Sequence, residues 1–131
     1  MSKRQKTEVV IAKARSYTGT PYKWGGTSSK GMDCSGLLLN SFSAVDINIP
    51  RTSAEQRKTG KKVSKGSIKK GDLLFFATSK KKRKVTHVGL VTEVQGEKVT
   101  FIHSSTSKGV TESSLDNSYW NKRFRQARRV L

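Results

Sequence analysis

The chain is 131 residues long, and its 27 lysine and arginine residues outnumber its 9 acidic residues, which gives a formal net charge of +18. This length suits a single domain, and no segment approaches the roughly 20 consecutive apolar residues that a membrane-spanning helix needs. A surface this basic attracts polyanions, but the sequence has no RNP-like or zinc-finger signature, so specific nucleic-acid recognition is not expected.

The first half of the chain is predicted to be helical. Residues 8–17 carry apolar side chains on one side of a helix, and a glycine and a proline soon follow to end it. A second helix is predicted from Cys34 to Val45, because apolar residues recur at positions 37, 38, 42 and 45. A short third helix should start at the capping-box pattern within residues 52–56 and stop by Gly60.

The only cysteine opens the second predicted helix. Asp33 is a favourable N-cap residue, so the sulfur and the N–H of Cys34 would lie at the positive end of the helix dipole, which stabilises a thiolate and later an oxyanion. A lone cysteine is more often a small buried hydrophobic residue. Here the polar neighbours Asp33 and Ser35, and Gly36, which is a poor helix former, favour a nucleophile.

The second half of the chain is predicted to form strands. Five segments are rich in β-branched and aromatic residues, namely Leu73–Ala77, Thr86–Glu93, Lys98–His103, Gly109–Glu112 and Phe124–Val130. Helices followed by strands predict an α+β fold, with N-terminal helices packed on a central antiparallel β-sheet.

The chain has two histidines, and they fall on neighbouring predicted strands. If these strands pair through a turn at residues 95–97, residues whose numbers sum to 190 or 191 lie opposite each other, and this pairs His87 with His103. Each histidine alone is more often a packed or surface imidazole. Their pairing, facing the start of the Cys34 helix, instead favours a Cys-His-His catalytic triad.

Six short motifs follow one another along the chain, namely Pro21–Gly26 (PYKWGG), Asp33–Gly36 (DCSG), Ile49–Gln56 (IPRTSAEQ), Lys70–Phe76 (KGDLLFF), Thr86–Val91 (THVGLV) and Phe101–Ser105 (FIHSS). In order and spacing they resemble the NlpC/P60 family of papain-like cell-wall cysteine peptidases. The resemblance runs from about Val9 to Val130, and it implies one papain-like catalytic domain over residues 1–131, with its core at about 9–130.

The resemblance implies a cysteine endopeptidase that hydrolyses bacterial peptidoglycan stem peptides, typically at the bond between D-γ-glutamate and the following diamino acid, without a cofactor. Cys34 would attack the carbonyl carbon and His87 would transfer the proton. His103 would orient the His87 ring and stabilise its charged form.

Four residues are candidates for substrate binding by the same resemblance. Tyr22 would form a wall of the site and contact the oxyanion, or else pack beside Trp24. Asp33 and Ser35 would hold the amine and backbone of the substrate, although Asp33 could serve only as the helix cap. Arg51 would bind a substrate carboxylate or extend into solvent.

The family's substrate implies a place in the cell envelope, periplasmic or extracellular. The first twenty residues lack the apolar centre of a secretion signal, so the chain is either cytosolic or a mature form without its leader. Because the family's substrate lies outside the cytoplasm, a removed signal or lipoprotein leader is expected. The basic run Lys80–Lys84 resembles a nuclear localisation signal, but it lies between two predicted strands and is better interpreted as a solvated loop. Its expected partners are anionic cell-wall polymers or a membrane surface, and the protein is expected to be a monomer.

Three other interpretations stay open. Cys34, His87 and His103 could bind copper together with Met32, although a cysteine that opens a helix is unusual for such a site, and no metal is expected. The protein could be a papain-like acyltransferase or amidase that acts on another substrate, including an antibacterial toxin. It could also be a non-catalytic cell-wall-binding module, which would leave the three catalytic residue types unexplained.

Overall fold

The computed structural model describes residues 1–131. Its four α-helices are α1 (Lys3–Ser16), α2 (Cys34–Ser43), α3 (Ser53–Gln56) and α4 (Ser118–Arg123). Its eight strands are β1 (Thr27–Ser28), β2 (Gly31–Met32), β3 (Lys61–Val63), β4 (Leu73–Phe76), β5 (His87–Gln95), β6 (Lys98–Ser105), β7 (Gly109–Ser114) and β8 (Phe124–Arg129). None of the helices has the length and apolar character that crossing a membrane requires.

Six of the strands form one antiparallel sheet in the order β3-β8-β4-β5-β6-β7, while β1 and β2 pair separately. Helices α1 and α2 pack on one face, where their apolar side chains join alternate residues of the central strands in the larger core cluster. The opposite face carries a second cluster, against which Trp120 of α4 packs. The α+β fold predicted from the sequence, with helices on a central antiparallel sheet, is therefore confirmed.

Helix α1 starts five residues earlier than the apolar pattern indicates. Its first turn is stabilised by a capping box, in which the Ser2 hydroxyl accepts from the Gln5 N–H at 3.1 Å and the Gln5 side chain accepts from the Ser2 N–H at 2.8 Å. This turn is exposed and polar, so apolar periodicity could not reveal it. The prediction that α2 begins at Cys34 is confirmed, although this helix ends at Ser43 rather than Val45.

The predicted register between the two histidine strands is wrong. The structure pairs Leu90 with Ile102, and the register shifts between Val91 and Glu93, so a bulge lies at Thr92. Extending the pairing of Leu90 with Ile102 sets Gly89 opposite His103. His87 is therefore a diagonal neighbour of His103, at a separation that aromatic side chains can still bridge.

Candidate active site

The Cys34 thiol lies where the start of α2 meets the start of β5. Asp33 caps the helix, since its Oδ1 accepts from the Gly36 N–H at 2.7 Å. The backbone N–H of Val88 points to the sulfur and, with those of Ser35 and Cys34 itself, acts to lower the pKa of the thiol. Only 8% of Cys34 is exposed, so the thiol occupies a nearly dry position beside the histidine strand.

Burial favours the neutral form of each titratable group in this region. It raises the pKa of the Cys34 thiol to about 11, and the charge of Asp33 adds to this effect. It lowers the pKa of His87 to about 3, with a further contribution from His103, and that of His103 to about 4. At neutral pH the resting site therefore holds a thiol and two uncharged imidazoles, because burial outweighs the stabilisation of a thiolate that the helix end provides.

The two histidines form a hydrogen-bonded chain. Nε2 of His87 lies 2.9 Å from Nδ1 of His103, with the ring planes at 90°. Nε2 of His103 in turn lies 2.8 Å from the Ser113 hydroxyl on β7. Nδ1 of His87 forms no hydrogen bond within the protein, so it is free to accept a proton. Ser113 was not predicted from the sequence, because nothing in its local sequence marks it.

Gly89 leaves room for the Phe101 ring, which supports the two histidines on this face of the sheet. A Cβ atom at this position would lie 2.6 Å from Cδ2 of Phe101. The Phe101 ring occupies that space and packs at 4.8 Å from the His103 ring, measured between centroids. A side chain at position 89 would therefore displace the ring that supports His103.

Trp120 of α4 covers the histidine pair. Its ring stacks on His87 at 5.0 Å and 21°, and it meets His103 edge-on at 4.7 Å and 80°. The sequence did not predict helix α4, because its six residues carry no apolar periodicity, and so it did not predict the role of Trp120 either. These contacts explain how His87 stays buried at the very start of its strand.

Asp33, Ser35 and Arg51 are brought together in one polar network. The Arg51 guanidinium donates to both carboxylate oxygens of Asp33, at 3.1 and 3.0 Å, and to the Ser35 hydroxyl at 2.8 Å. The carboxylate also accepts from the Ser35 hydroxyl and from the N–H groups of Gly25 and Gly36. Arg51 is thus paired with Asp33 rather than extended into solvent, and Asp33 is more than a helix cap.

Tyr22 lies near the nucleophile. Burial raises the pKa of its phenol, and the nearby Cys34 and Asp33 act in the same direction. Its backbone pairs with Met32. Trp24 is 86% exposed, and the two rings make no aromatic contact, so the alternative in which Tyr22 packs on Trp24 is not observed.

The geometry does not favour the copper interpretation. The facing nitrogens of His87 and His103 are at hydrogen-bond distance, whereas two ligands at about 2 Å from one metal would stand further apart. Met32 is fully buried in the core cluster that α1 and α2 share with the sheet.

Comparison with known proteins gives a consistent family. A probable endopeptidase NlpC homolog of Haemophilus influenzae is 45% identical over 116 residues, and the match covers 88% of this chain and 58% of that protein. The murein DD-endopeptidase MepS/murein LD-carboxypeptidase of Escherichia coli is 40% identical with the same coverage. A gamma-D-glutamyl-L-lysine dipeptidyl-peptidase of Bacillus subtilis is 39% identical over 125 residues, covering 95% of this chain and 41% of that protein.

A solved structure indicates the same family as these relatives. The crystal structure of an NlpC/P60 family protein from Bacillus cereus superposes with a TM-score of 0.86 at 33% identity, covering 95% of this chain and 40% of that one. The chain thus spans well under two thirds of the length of these relatives. The profile of the NlpC/P60 family matches residues 19–129, and the chain belongs to that family.

Proposed function

We propose that this protein is a cysteine endopeptidase that hydrolyses peptidoglycan stem peptides. The observation that carries the proposal is the arrangement of Cys34 and His87 where α2 meets β5, with Nε2 of His87 bonded to His103 and Nδ1 left without a partner. The relatives named as murein endopeptidase and as gamma-D-glutamyl-L-lysine dipeptidyl-peptidase support the substrate class.

Proton transfer from the thiol is the first step of the proposed mechanism. For Nδ1 of His87 to accept a proton, its Nε2 must carry the hydrogen and donate it to Nδ1 of His103. His103 then carries its hydrogen on Nε2 and donates to Ser113. This tautomeric pattern satisfies both hydrogen bonds and leaves Nδ1 of His87 free to accept the proton. His103 and Ser113 thus act as positioning residues for His87.

Burial makes a separated charge costly at this site, so thiolate and imidazolium form together when the proton moves from Sγ to Nδ1. The thiolate attacks the carbonyl carbon of the scissile amide, and the carbonyl oxygen becomes an oxyanion. The N–H of Cys34 at the start of α2 and the hydroxyl of Tyr22 are the donors we assign to that oxygen. The Tyr22 hydroxyl forms no bond within the protein, which leaves it free for this role.

Collapse of the tetrahedral intermediate breaks the C–N bond. His87 returns its proton to the leaving nitrogen, and a water molecule, deprotonated by the same imidazole, then hydrolyses the thioester. Ser35 and Arg51 lie beside the acyl side of this reaction and are assigned to substrate binding. Asp33 acts mainly by holding Arg51, because its two oxygens already accept five hydrogen bonds.

The finer assignment concerns the bond and the place of action. We propose cleavage between D-γ-glutamate and the diamino acid, by a monomer that works in the cell envelope.

Five basic residues, Lys80, Lys82, Lys122, Arg123 and Arg125, line a cavity of about 310 Å³ whose lining contains no acidic residue. Arg125 donates to the carbonyl of Lys82 and so joins the loop to β8. This basic cluster is proposed to bind an anionic wall polymer.

Digestion of purified peptidoglycan and of a soluble stem peptide tests the proposal, with products identified by mass spectrometry and Cys34→Ala as the control. Cys34-dependent fragments that end in D-γ-glutamate are expected. The variant should unfold within a few degrees of the parent, since it removes one sulfur atom. A folded parent protein that cleaves neither substrate would contradict the proposal and favour an acyltransferase, an amidase or a wall-binding module.

A further inference from the structure

A cavity of about 360 Å³ opens beside the two histidines and extends along the turn between β6 and β7. The cavity is lined by His87, His103 and Trp120, together with Lys108, Asn117 and several hydroxyl residues. Cys34 does not line it. The cavity is thus on the histidine side of the nucleophile, apart from the network of Asp33, Ser35 and Arg51.

This position fits one part of the substrate. In the proposed mechanism His87 donates its proton to the leaving nitrogen, so the residue that carries this nitrogen must lie beside the His87 ring. The acyl part is attached to Cys34 and lies toward Tyr22 and Ser35. The cavity therefore faces the residue on the amine side of the scissile bond.

The lining of the cavity is suited to a negatively charged group. Its only ionised side chain is Lys108, and it contains no aspartate or glutamate. The Lys108 side chain is exposed and forms no ion pair within the protein, so its charge is available to a ligand. The hydroxyls of Thr106 and Thr111 have no partner within the protein, so they are also free to donate.

The turn that carries Lys108 is held in place. The Ser105 hydroxyl accepts from the backbone N–H groups of Ser107 and Lys108, at 3.3 and 3.2 Å. Gly109 follows with a φ of 70°, and its Cα lies so close to Thr20 that a Cβ would reach 2.2 Å from the Thr20 carbonyl oxygen. The cation is therefore presented from a fixed backbone position.

The length of the cavity along β6 can be compared with the side chain of a diamino acid. Ser105 lies two residues beyond His103 on β6, which is about 7 Å along the strand. The distal carboxylate of diaminopimelate lies about 6 Å from its first α-carbon in an extended chain. We propose that this cavity binds the leaving residue and that Lys108 selects a leaving residue with a distal carboxylate, diaminopimelate over lysine. This inference rests on the proposed function.

Two soluble stem peptides that differ only in this residue provide the test, because diaminopimelate is lysine with one added carboxylate. We expect kcat/KM of the wild-type protein to be about three- to fivefold higher for the diaminopimelate peptide at low salt, and the ratio to fall in high salt. Lys108→Gln should remove the preference by slowing that peptide alone, and Lys108→Glu should reverse it. Lys98→Gln, at the start of β6 and so at the end of that strand away from the Lys108 turn, is the matched control and should keep the ratio.

The outcomes separate the two proposals. Cleavage of both peptides at equal rates, or a preference that survives Lys108→Gln, overturns the assignment of Lys108 and leaves the peptidase function standing. Cleavage at a bond that does not release the diamino acid also overturns it. A folded wild-type protein that cleaves neither peptide overturns the proposed function, and this inference with it.

Discussion

Replacement of Gly89 by alanine should damage the site without touching a reacting group. The new Cβ would lie 2.6 Å from Cδ2 of Phe101, whereas an ordinary contact begins at 3.4 Å, so the ring must move by about 0.8 Å. Phe101 is fully buried and is packed by Phe76 at 5.1 Å and Trp120 at 5.8 Å, as well as by His103. The ring therefore cannot move without disturbing His103.

Overpacking of this kind costs about 1–3 kcal/mol, which should lower the Tm by about 3–12 °C. A shift of the imidazole of under 1 Å should also reduce kcat/KM by about tenfold to a hundredfold. Thermal unfolding by circular dichroism and hydrolysis of a soluble stem peptide measure the two effects. Gly66→Ala is the matched control, because a Cβ at Gly66 meets nothing within 4 Å, and it should leave both values unchanged.

A double variant tests the cause. Gly89→Ala combined with Phe101→Leu should be less destabilised than the sum of the two single variants, because the shorter side chain vacates the contested space. If Gly89→Ala unfolds at the parent's temperature, the steric reasoning is wrong. If it loses stability but keeps full activity, Phe101 does not determine the position of His103.

The remaining predictions concern the histidines, an ion pair and the basic cluster. His103→Gln should lower kcat by about tenfold or more with little change in KM, and a rate within a few-fold of the parent would exclude the positioning role. The pKa values of His87 and His103 are depressed in the folded state, so the contribution of these two histidines to the free energy of unfolding should be constant above pH 6.5. Below pH 6.5, the free energy of unfolding should fall by up to about 1.4 kcal/mol per histidine per pH unit down to pH 4. In His103→Gln, the free energy of unfolding measured by urea denaturation should fall less steeply with decreasing pH. Asp72, 1% exposed, accepts two hydrogen bonds from Arg129 at 2.8 and 2.9 Å, so Asp72→Asn should cost about 2–3 kcal/mol in chemical denaturation, and the exposed Asp116→Asn almost nothing. Replacing Lys80 and Lys122 by glutamine should weaken sedimentation with anionic cell walls at low salt and spare a small soluble substrate, whereas the same loss of charge at Lys61 and Lys98 should not; equal loss on both substrates would place the basic cluster in the active site.

Much of the fold could be predicted because local and tertiary signals agree. The Asp33 cap and the apolar stripe after Cys34 define α2, and the Thr52 cap is observed with its hydroxyl accepting from Glu55 at 3.3 Å. Strands β4 to β8 are rich in β-branched or aromatic residues and occur within a few residues of the predicted bounds. In each case a short segment carries enough information to specify its own conformation.

The parts that could not be predicted depend on contacts between distant segments. Strands β1, β2 and β3 have two or three residues each, too few for a periodic pattern. The bulge at Thr92 leaves no local signature, since its hydroxyl bonds to Glu112 two strands away, at 2.7 Å. The pairing of the histidines survived the register error because the sheet's alternation, which decides the shared face, tolerates a shift of two residues.

The burial of the Cys34 thiol also affects how long this side chain survives oxidation. Peroxides oxidise the thiolate form of cysteine, and further oxidation beyond the sulfenic acid is irreversible for most proteins. The chain has no second cysteine that could trap a sulfenic acid as an intrachain disulfide. A thiol that is kept protonated and is only 8% exposed is therefore chemically durable, and under the proposed mechanism it would be open to oxidation mainly during turnover rather than at rest.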